Sequence, residues 1–115
     1  MWQTSWGLTT RSIGILIMHH GDNKGLVLPP KVANIQVVIV PIHFKGKEEA
    51  VNNVAEKLYV QVKKSKIRVH LDDRDNYTPG WKFNHWELKG VPMRLELGPK
   101  DIEKEEVRCV LRHSG

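Results

Sequence analysis

Cysteine is nearly absent from this 115-residue sequence. The single Cys109 excludes an internal disulfide framework and a four-cysteine zinc site. Long apolar runs are absent too: the longest, Ile15–Met18 and Val37–Val40, fall far short of the ~20 residues that span a bilayer. The amino-terminal stretch lacks the basic region, apolar core and cleavage site of a secretory signal, so a cytoplasmic location is expected. The sequence has no nucleophile elbow of the Gly-x-Ser-x-Gly kind, no phosphate loop ending in Gly-Lys, and no His-Glu-x-x-His or Cys-x-x-Cys spacing. Neither a self-contained enzyme nor a metal or cofactor held by the chain itself is therefore expected.

With 40% hydrophobic and 27% charged residues, the composition is that of one ordinary globular domain. A chain of this size buries about two-thirds of its unfolded surface, enough to fold without metal or disulfide. Eighteen Lys and Arg against thirteen Asp and Glu give a net charge of +5. That balance favours polyanionic partners and says nothing about fold. Lys63, Lys64, Lys66 and Arg68 concentrate the excess. They read either as a solvated helix end, where cations suit the negative pole of the helix dipole, or as a nucleic-acid patch.

One break in composition, Lys24 to Pro30, reads as a linker, because consecutive prolines hold the backbone extended. Before it, Ser12–His20 is mostly apolar with no wide polar face, and nothing else in the sequence obviously covers it. After it the pattern alternates. Ile35–Val40 reads as a strand buried on both faces. Lys47–Lys64 carries Val51, Val54, Ala55, Leu58 and Val62 at helical spacing. Ile67, Val69 and Leu71 alternate as a second strand. Thr78-Pro79 and Gly90 bracket a helix from Pro79 to Lys89. Met93, Leu95 and Leu97 alternate with the polar Arg94 and Glu96 as a third strand, Pro99–Lys104 forms a single helical turn, and Val107–Leu111 a fourth strand. The order implies an α/β domain, a mixed sheet flanked by helices. The polar loop Asp72–Tyr77 lies at a strand's carboxyl end, where such sheets tend to place ligands.

Few side chains there suggest chemistry. His19 and His20 are adjacent and diverge by about 100° on a helix, which does not favour joint chelation. Asp72, Asp73 and Asp75 lack the glycine and terminal glutamate of a calcium loop and read as a capping loop, with Arg74 paired to one of the acids. Cys109, inside a strand, is expected to be buried and inert. Phe83 and Glu87, four residues apart, share a helical face, and Arg94 points away from the buried side of its strand. An exposed ring, a carboxylate and a guanidinium on one surface suit single-stranded nucleic acid. The ring stacks on a base, the carboxylate accepts from guanine N1–H and N2–H, and arginine donates to O6 and N7. The other reading makes the aromatics core and the charges solvated.

Four stretches carry a family resemblance: Gly25–Pro30, Asp73–Phe83, Trp86–Pro92 and Glu96–Asp101 resemble the prolyl-tRNA synthetase family in its eukaryotic and archaeal-type form. The resemblance implies that residues 32–115 are a class II synthetase anticodon-binding domain with the α/β fold above. It also implies that residues 25–31 are a linker and residues 1–24 the end of the catalytic domain. Phe83 would then stack on an anticodon base, Glu87 and Arg94 would read the two guanines of proline anticodons, and Lys100 would support the loop. A further family lysine would lie beyond Gly115. Trp2–Arg11 resembles the motif 3 strand, with Arg11 as an ATP contact, and Ser12–His20 the helix after it. The latter is expected to be disordered or packed on a neighbouring molecule once stripped of catalytic-domain partners. The parent enzyme, expected to be a homodimer, would use ATP and Mg²⁺ to activate proline and charge tRNA(Pro). This part would be a non-catalytic monomer without membrane contact. Histidyl-, threonyl- and glycyl-tRNA synthetases share the domain, and a non-catalytic interaction module can use the same fold. Trp81–Pro92 favours proline, and Phe83, Glu87 and Arg94 together argue against a lapsed reader.

Overall fold

A computed structural model of the chain describes residues 1–114; Gly115, the last residue of the expected anticodon-binding domain, lies outside the described residues. Its elements run α1 (Arg11–His20), β1 (Val37–Pro41), α2 (Glu48–Lys64), β2 (Val69–Leu71), α3 (Pro79–Leu88), β3 (Met93–Leu97), α4 (Pro99–Glu103) and β4 (Arg108–Leu111). Four strands form one sheet in the order β2-β1-β3-β4. β1 is parallel to both β2 and β3, and β4 returns antiparallel to β3. The elements expected after the linker are all present, with ends shifted by at most two residues. The strand expected at Trp2–Arg11 is not: residues 1–9 lie in no strand, Trp2 and Trp6 are fully exposed, and Arg11 opens α1 instead.

The topology decides which helix covers which face. The path from β1 through α2 to β2 goes one way, and the path from β2 through α3 to β3 crosses back over β1. Crossovers of this kind are right-handed, so opposite directions put α2 and α3 on opposite faces. β1 is buried along its whole length, between the two. Its alternate residues divide accordingly: Val37 and Ile39 join Ala55, Leu95 and Leu97 beneath α2, while Val38 and Val40 join Trp86 and Val91 beneath α3. Each such aliphatic side chain contributes about 1.5–3 kcal/mol of transfer free energy. α3 lies over β1, so the α3-side face of β3 and β4 has no helix above it. That open strip carries Arg94 and Glu96, with Val110 and Arg108 directly opposite them on β4.

Two expectations change here. Glu96 was to alternate outward with Arg94 as a polar position, yet it is 9% exposed, because Arg94 folds over it. Cys109 is exposed, not buried. β4 is an edge strand of the sheet.

The stretch from Asp22 to Leu28 is docked on the domain. Asp22 and Gly25 close a tight turn by exchanging backbone hydrogen bonds of 3.0 and 3.1 Å. The chain then runs along the end of α3, with Leu26 N–H donating to Leu88 O and Leu28 N–H to Gly90 O, both at 3.1 Å. Gly90 makes this approach possible: its φ is +76°, and a Cβ there would sit 2.5 Å from Leu26 O. Arg112, nearly fully buried, donates to both Asp22 carboxylate oxygens at 2.7 and 2.6 Å and to Glu87 O at 2.9 Å.

α1 is a regular helix with no buried residue, and Ile13, Ile15, Ile17 and Met18 are all exposed. Removing residues 1–20 while keeping Asp22 is therefore expected to shift the thermal midpoint by less than about 3 °C. A differential scan of the two chains measures it, and a drop of more than about 10 °C would show packing that this arrangement lacks.

Candidate nucleic-acid interface

The side chains that matter sit on or beside α3, which starts and stops by local chemistry. Thr78 caps it, its Oγ1 accepting from Trp81 N–H at 3.3 Å, with Pro79 as the first helical residue. Inward, Trp86 is buried and its Nε1–H donates to Asp72 Oδ2 at 2.7 Å. Asp72 also takes both arms of Arg74, at 2.8 Å each, so Arg74 does pair with an acid of this loop. The capping role expected of the loop acids belongs instead to Thr78, and Asp72 ties the β2–α3 loop to the core. Lys82 is 2% exposed, its ammonium reaching Asp72 O at 3.4 Å.

Burial by itself would raise the Asp72 pKa. Hydrogen bonds from Arg74 and Trp86, with the Arg74 and Lys82 charges, overturn that and hold the carboxyl well below its usual range. Asp22 is also held low, chiefly by the Arg112 hydrogen bonds, against some desolvation. A carboxylate depressed in the folded state adds stability that is complete above its unfolded pKa of about 3.9 and is lost as pH falls below it. The contribution of these two carboxylates is therefore complete above about pH 5, and stability is expected to fall steeply below about pH 4. Urea midpoints measured across that range test it, and a midpoint unchanged down to pH 3 would contradict the pairing.

On the side of α3 facing β3, Phe83 is half-buried against the Val38, Val40, Trp86 and Val91 cluster. Its ring is not free, as the open-surface expectation had it: the Arg94 guanidinium lies over it, 4.4 Å from the centroid. Arg94 Nε–H donates to Glu96 Oε1 at 3.0 Å, and the two side chains are 19% and 11% exposed. Glu87, one turn beyond Phe83, is 22% exposed and meets Lys24 Nζ at 3.5 Å. Glu87 and Arg94 line one small cavity of about 20 Å³ with Val110 and Arg112, room for about one water. Each has a partner of its own, and they are not paired with each other.

Lys100 is exposed in the first turn of α4, beside a cleft of about 520 Å³ walled by Ile42, Phe44 and Gly98. Arg11 is exposed at the start of α1, away from these residues. The basic cluster divides. Lys63 and Lys64 close α2 as a helix end, while Arg68 is spent on the carbonyls of Ala33 and Lys31 at 2.9 and 3.0 Å. It borders β2, the edge opposite β4, so it does not adjoin Phe83 and Glu87. The Asp72–Tyr77 loop opens on a cavity of about 380 Å³ lined by His43, Glu48, Arg74 and Lys82. Among the described residues, no group of three or more His, Cys, Asp or Glu could hold a metal ion.

Sequence reasoning missed Lys24, Glu96 and Arg112, whose roles depend on neighbours distant in the chain. It also missed a column on the other side of α3, where Tyr77, Trp81 and His85 stack with centroids 3.9 and 4.8 Å apart. Burial, then the Lys89 and Arg74 charges, hold the His85 pKa down. An aromatic at every fourth position was the available signal.

Comparison with known proteins matches residues 36–115 to the model of the anticodon binding domain family. The chain is 61% identical over 112 residues, 97% of its length, to a proline–tRNA ligase of the bacterium Natranaerobius thermophilus. It is 48% identical over its whole length to the cytoplasmic proline–tRNA ligase of Arabidopsis thaliana, and 52% identical over 99% of it to a proline–tRNA ligase of Cenarchaeum symbiosum. It spans between a fifth and a quarter of these relatives, at 23%, 22% and 24% of their lengths. The chain belongs to the anticodon binding domain family, and over nearly all its length it is similar to a segment of proline–tRNA ligases.

Proposed function

We propose that this chain reads the guanines of the tRNA(Pro) anticodon for a proline–tRNA ligase. The observation that carries the reading is the cluster beside the uncovered strip of the sheet: Arg94 over the Phe83 ring, with Glu87 lining the same small cavity as Arg94. An unpaired guanine offers N1–H and N2–H to a carboxylate and O6 and N7 to a guanidinium, and an anticodon loop presents such edges unpaired. In this reading Phe83 stacks on an anticodon base, Arg94 keeps its place by the ring and donates to one guanine, Glu87 leaves Lys24 to accept from the other, and Lys100 supports the loop. The net charge of +5 supplies the sequence-independent attraction to phosphate.

The parent protein, a cytoplasmic homodimer in this reading, activates proline with ATP and Mg²⁺ and transfers it to tRNA(Pro). Residues 1–24 are the end of its catalytic domain, with Arg11 contacting ATP, and residues 25–31 connect to the reader. Arg11 is one exposed guanidinium and offers a phosphate a single contact. The rest of an ATP and Mg²⁺ site belongs to the parent, and this part is a non-catalytic monomer. A protein-interaction module of the same fold is not favoured. Its mark would be Glu87 and Arg94 buried against each other, and they hold separate partners.

The test is binding of the chain to a proline anticodon stem-loop and to one with both guanines replaced by adenine, near physiological ionic strength. A preference of about 1–3 kcal/mol per guanine is expected. Equal, salt-sensitive binding of both would leave only phosphate attraction and return the interaction module to first place.

A further inference from the structure

We infer that Glu96 is a positioning residue for guanine recognition, acting through Arg94 and not on the RNA; the inference rests on the reading just given. A carboxylate in the middle of β3, between buried Leu95 and Leu97, is costly unless something specific holds it. Arg108 lies directly opposite on β4 and would be the obvious counter-ion, but it is exposed and forms no ion pair with Glu96 among the described residues. Arg94 is the partner. Its Nε–H is bound to Glu96 Oε1 at 3.0 Å, and its guanidinium carbon lies over the Phe83 ring, 4.4 Å from the centroid.

These two contacts fix the guanidinium in two different ways. The ring holds the guanidinium on one side, and the Nε bond sets which of its edges is taken. Arginine has two edges that can form a parallel pair of N–H donors, one using Nε and one using only the terminal nitrogens. With Nε occupied by Glu96, the terminal edge is the one left for a base. Arg94 makes no other side-chain hydrogen bond among the described residues, so that edge is unengaged and already oriented. The same carboxylate offsets the arginine's charge. The pair therefore attracts a phosphate less than a lone arginine would while keeping its directional donors, which favours a base edge over backbone.

The experiment uses the 115-residue chain and anticodon stem-loops in which each guanine in turn is replaced by 7-deazaguanine, which lacks the N7 acceptor. Wild-type binding is expected to weaken about tenfold at one of the two positions. In Glu96→Ala that ratio is expected to fall to within about twofold of unity, with the salt dependence of binding no weaker than in the wild type, since Arg94 is then no longer offset. Glu96→Gln retains the ratio, because its amide oxygen still accepts from Nε. Glu96→Asp loses it, because its acceptor is set back by one methylene. The aspartate variant carries the test if the alanine variant does not fold. A Glu96→Ala protein that keeps the wild-type ratio overturns the inference and leaves the guanine-reading proposal standing. So does a wild-type chain that prefers guanine to adenine yet ignores 7-deazaguanine at both positions. A wild-type chain that cannot tell guanine from adenine overturns both.

Discussion

Replacing Asp72 by alanine is expected to cost about 3 kcal/mol of stability, lowering the thermal midpoint by about 10–20 °C. The carboxylate is fully buried as a side chain and has three dependants. Trp86 Nε1–H, in the core, loses its acceptor. Lys82 loses the nearby negative charge that offsets its buried ammonium. Arg74 loses both its bonds, but at 39% exposure it turns to water and contributes least. Asp72→Asn keeps one oxygen acceptor for Trp86 and loses the charge, so about half the cost is expected. It should also flatten the fall in stability below about pH 4, since the depressed carboxyl is gone. Urea unfolding of the three proteins at pH 7 and pH 3.5 decides the matter. A loss below about 1 kcal/mol for Asp72→Ala would mean that the loop is held by something other than this carboxylate.

The second large effect is on recognition. Glu87→Ala is expected to lose about 1–3 kcal/mol of preference at one guanine, a factor of about 5–150 in affinity, while leaving the adenine stem-loop almost unaffected. Arg94→Lys should be nearly as damaging at the other guanine. An ammonium cannot form the paired donors, and it stacks less well on Phe83 than a planar guanidinium. Arg94→Ala is the poorer probe, because it strands the buried Glu96 carboxylate and destabilises the fold as well. The two losses are expected at different guanines and, since Glu87 and Arg94 do not touch, to add. Fluorescence anisotropy with singly substituted stem-loops checks this. If both variants lost the same guanine, one residue would be acting through the other.

What the sequence revealed was set by local chemistry. The Thr78 cap with Pro79, the Gly90 stop and the stripe from Val51 to Val62 each depend on residues within a turn or two, and the helices followed. The alternation of Met93, Leu95 and Leu97 correctly turned Arg94 to the other side. Spacing alone placed Phe83 and Glu87 on one face and pointed to base stacking and guanine reading; the anticodon assignment, and the role of Lys100, came from family resemblance. The misses all needed tertiary neighbours. Cys109 looked like a core strand residue because nothing local says which strand will be the edge. Glu96 looked solvated because its burial is Arg94's doing. Asp72 looked like a capping acid, but its partner in the core is an indole 14 residues away, and the acid that holds Arg112 is 90 residues away.

The turn from Asp22 to Gly25 has a mechanical consequence. α1 ends at His20, and one residue, Gly21, separates it from Asp22. A load applied through α1 thus enters the domain along one stiff path, from Asp22 through the two-armed grip of Arg112 to the backbone of Glu87. Gly21 is its only slack, and that position has no room for a side chain, because a Cβ there would lie 2.5 Å from Ile17 O. Lys24, on the same turn, holds the other end of Glu87, its carboxylate. Tension on this turn is transmitted to both ends of one residue, so the short stretch before the sheet works as a bridle on the third helix.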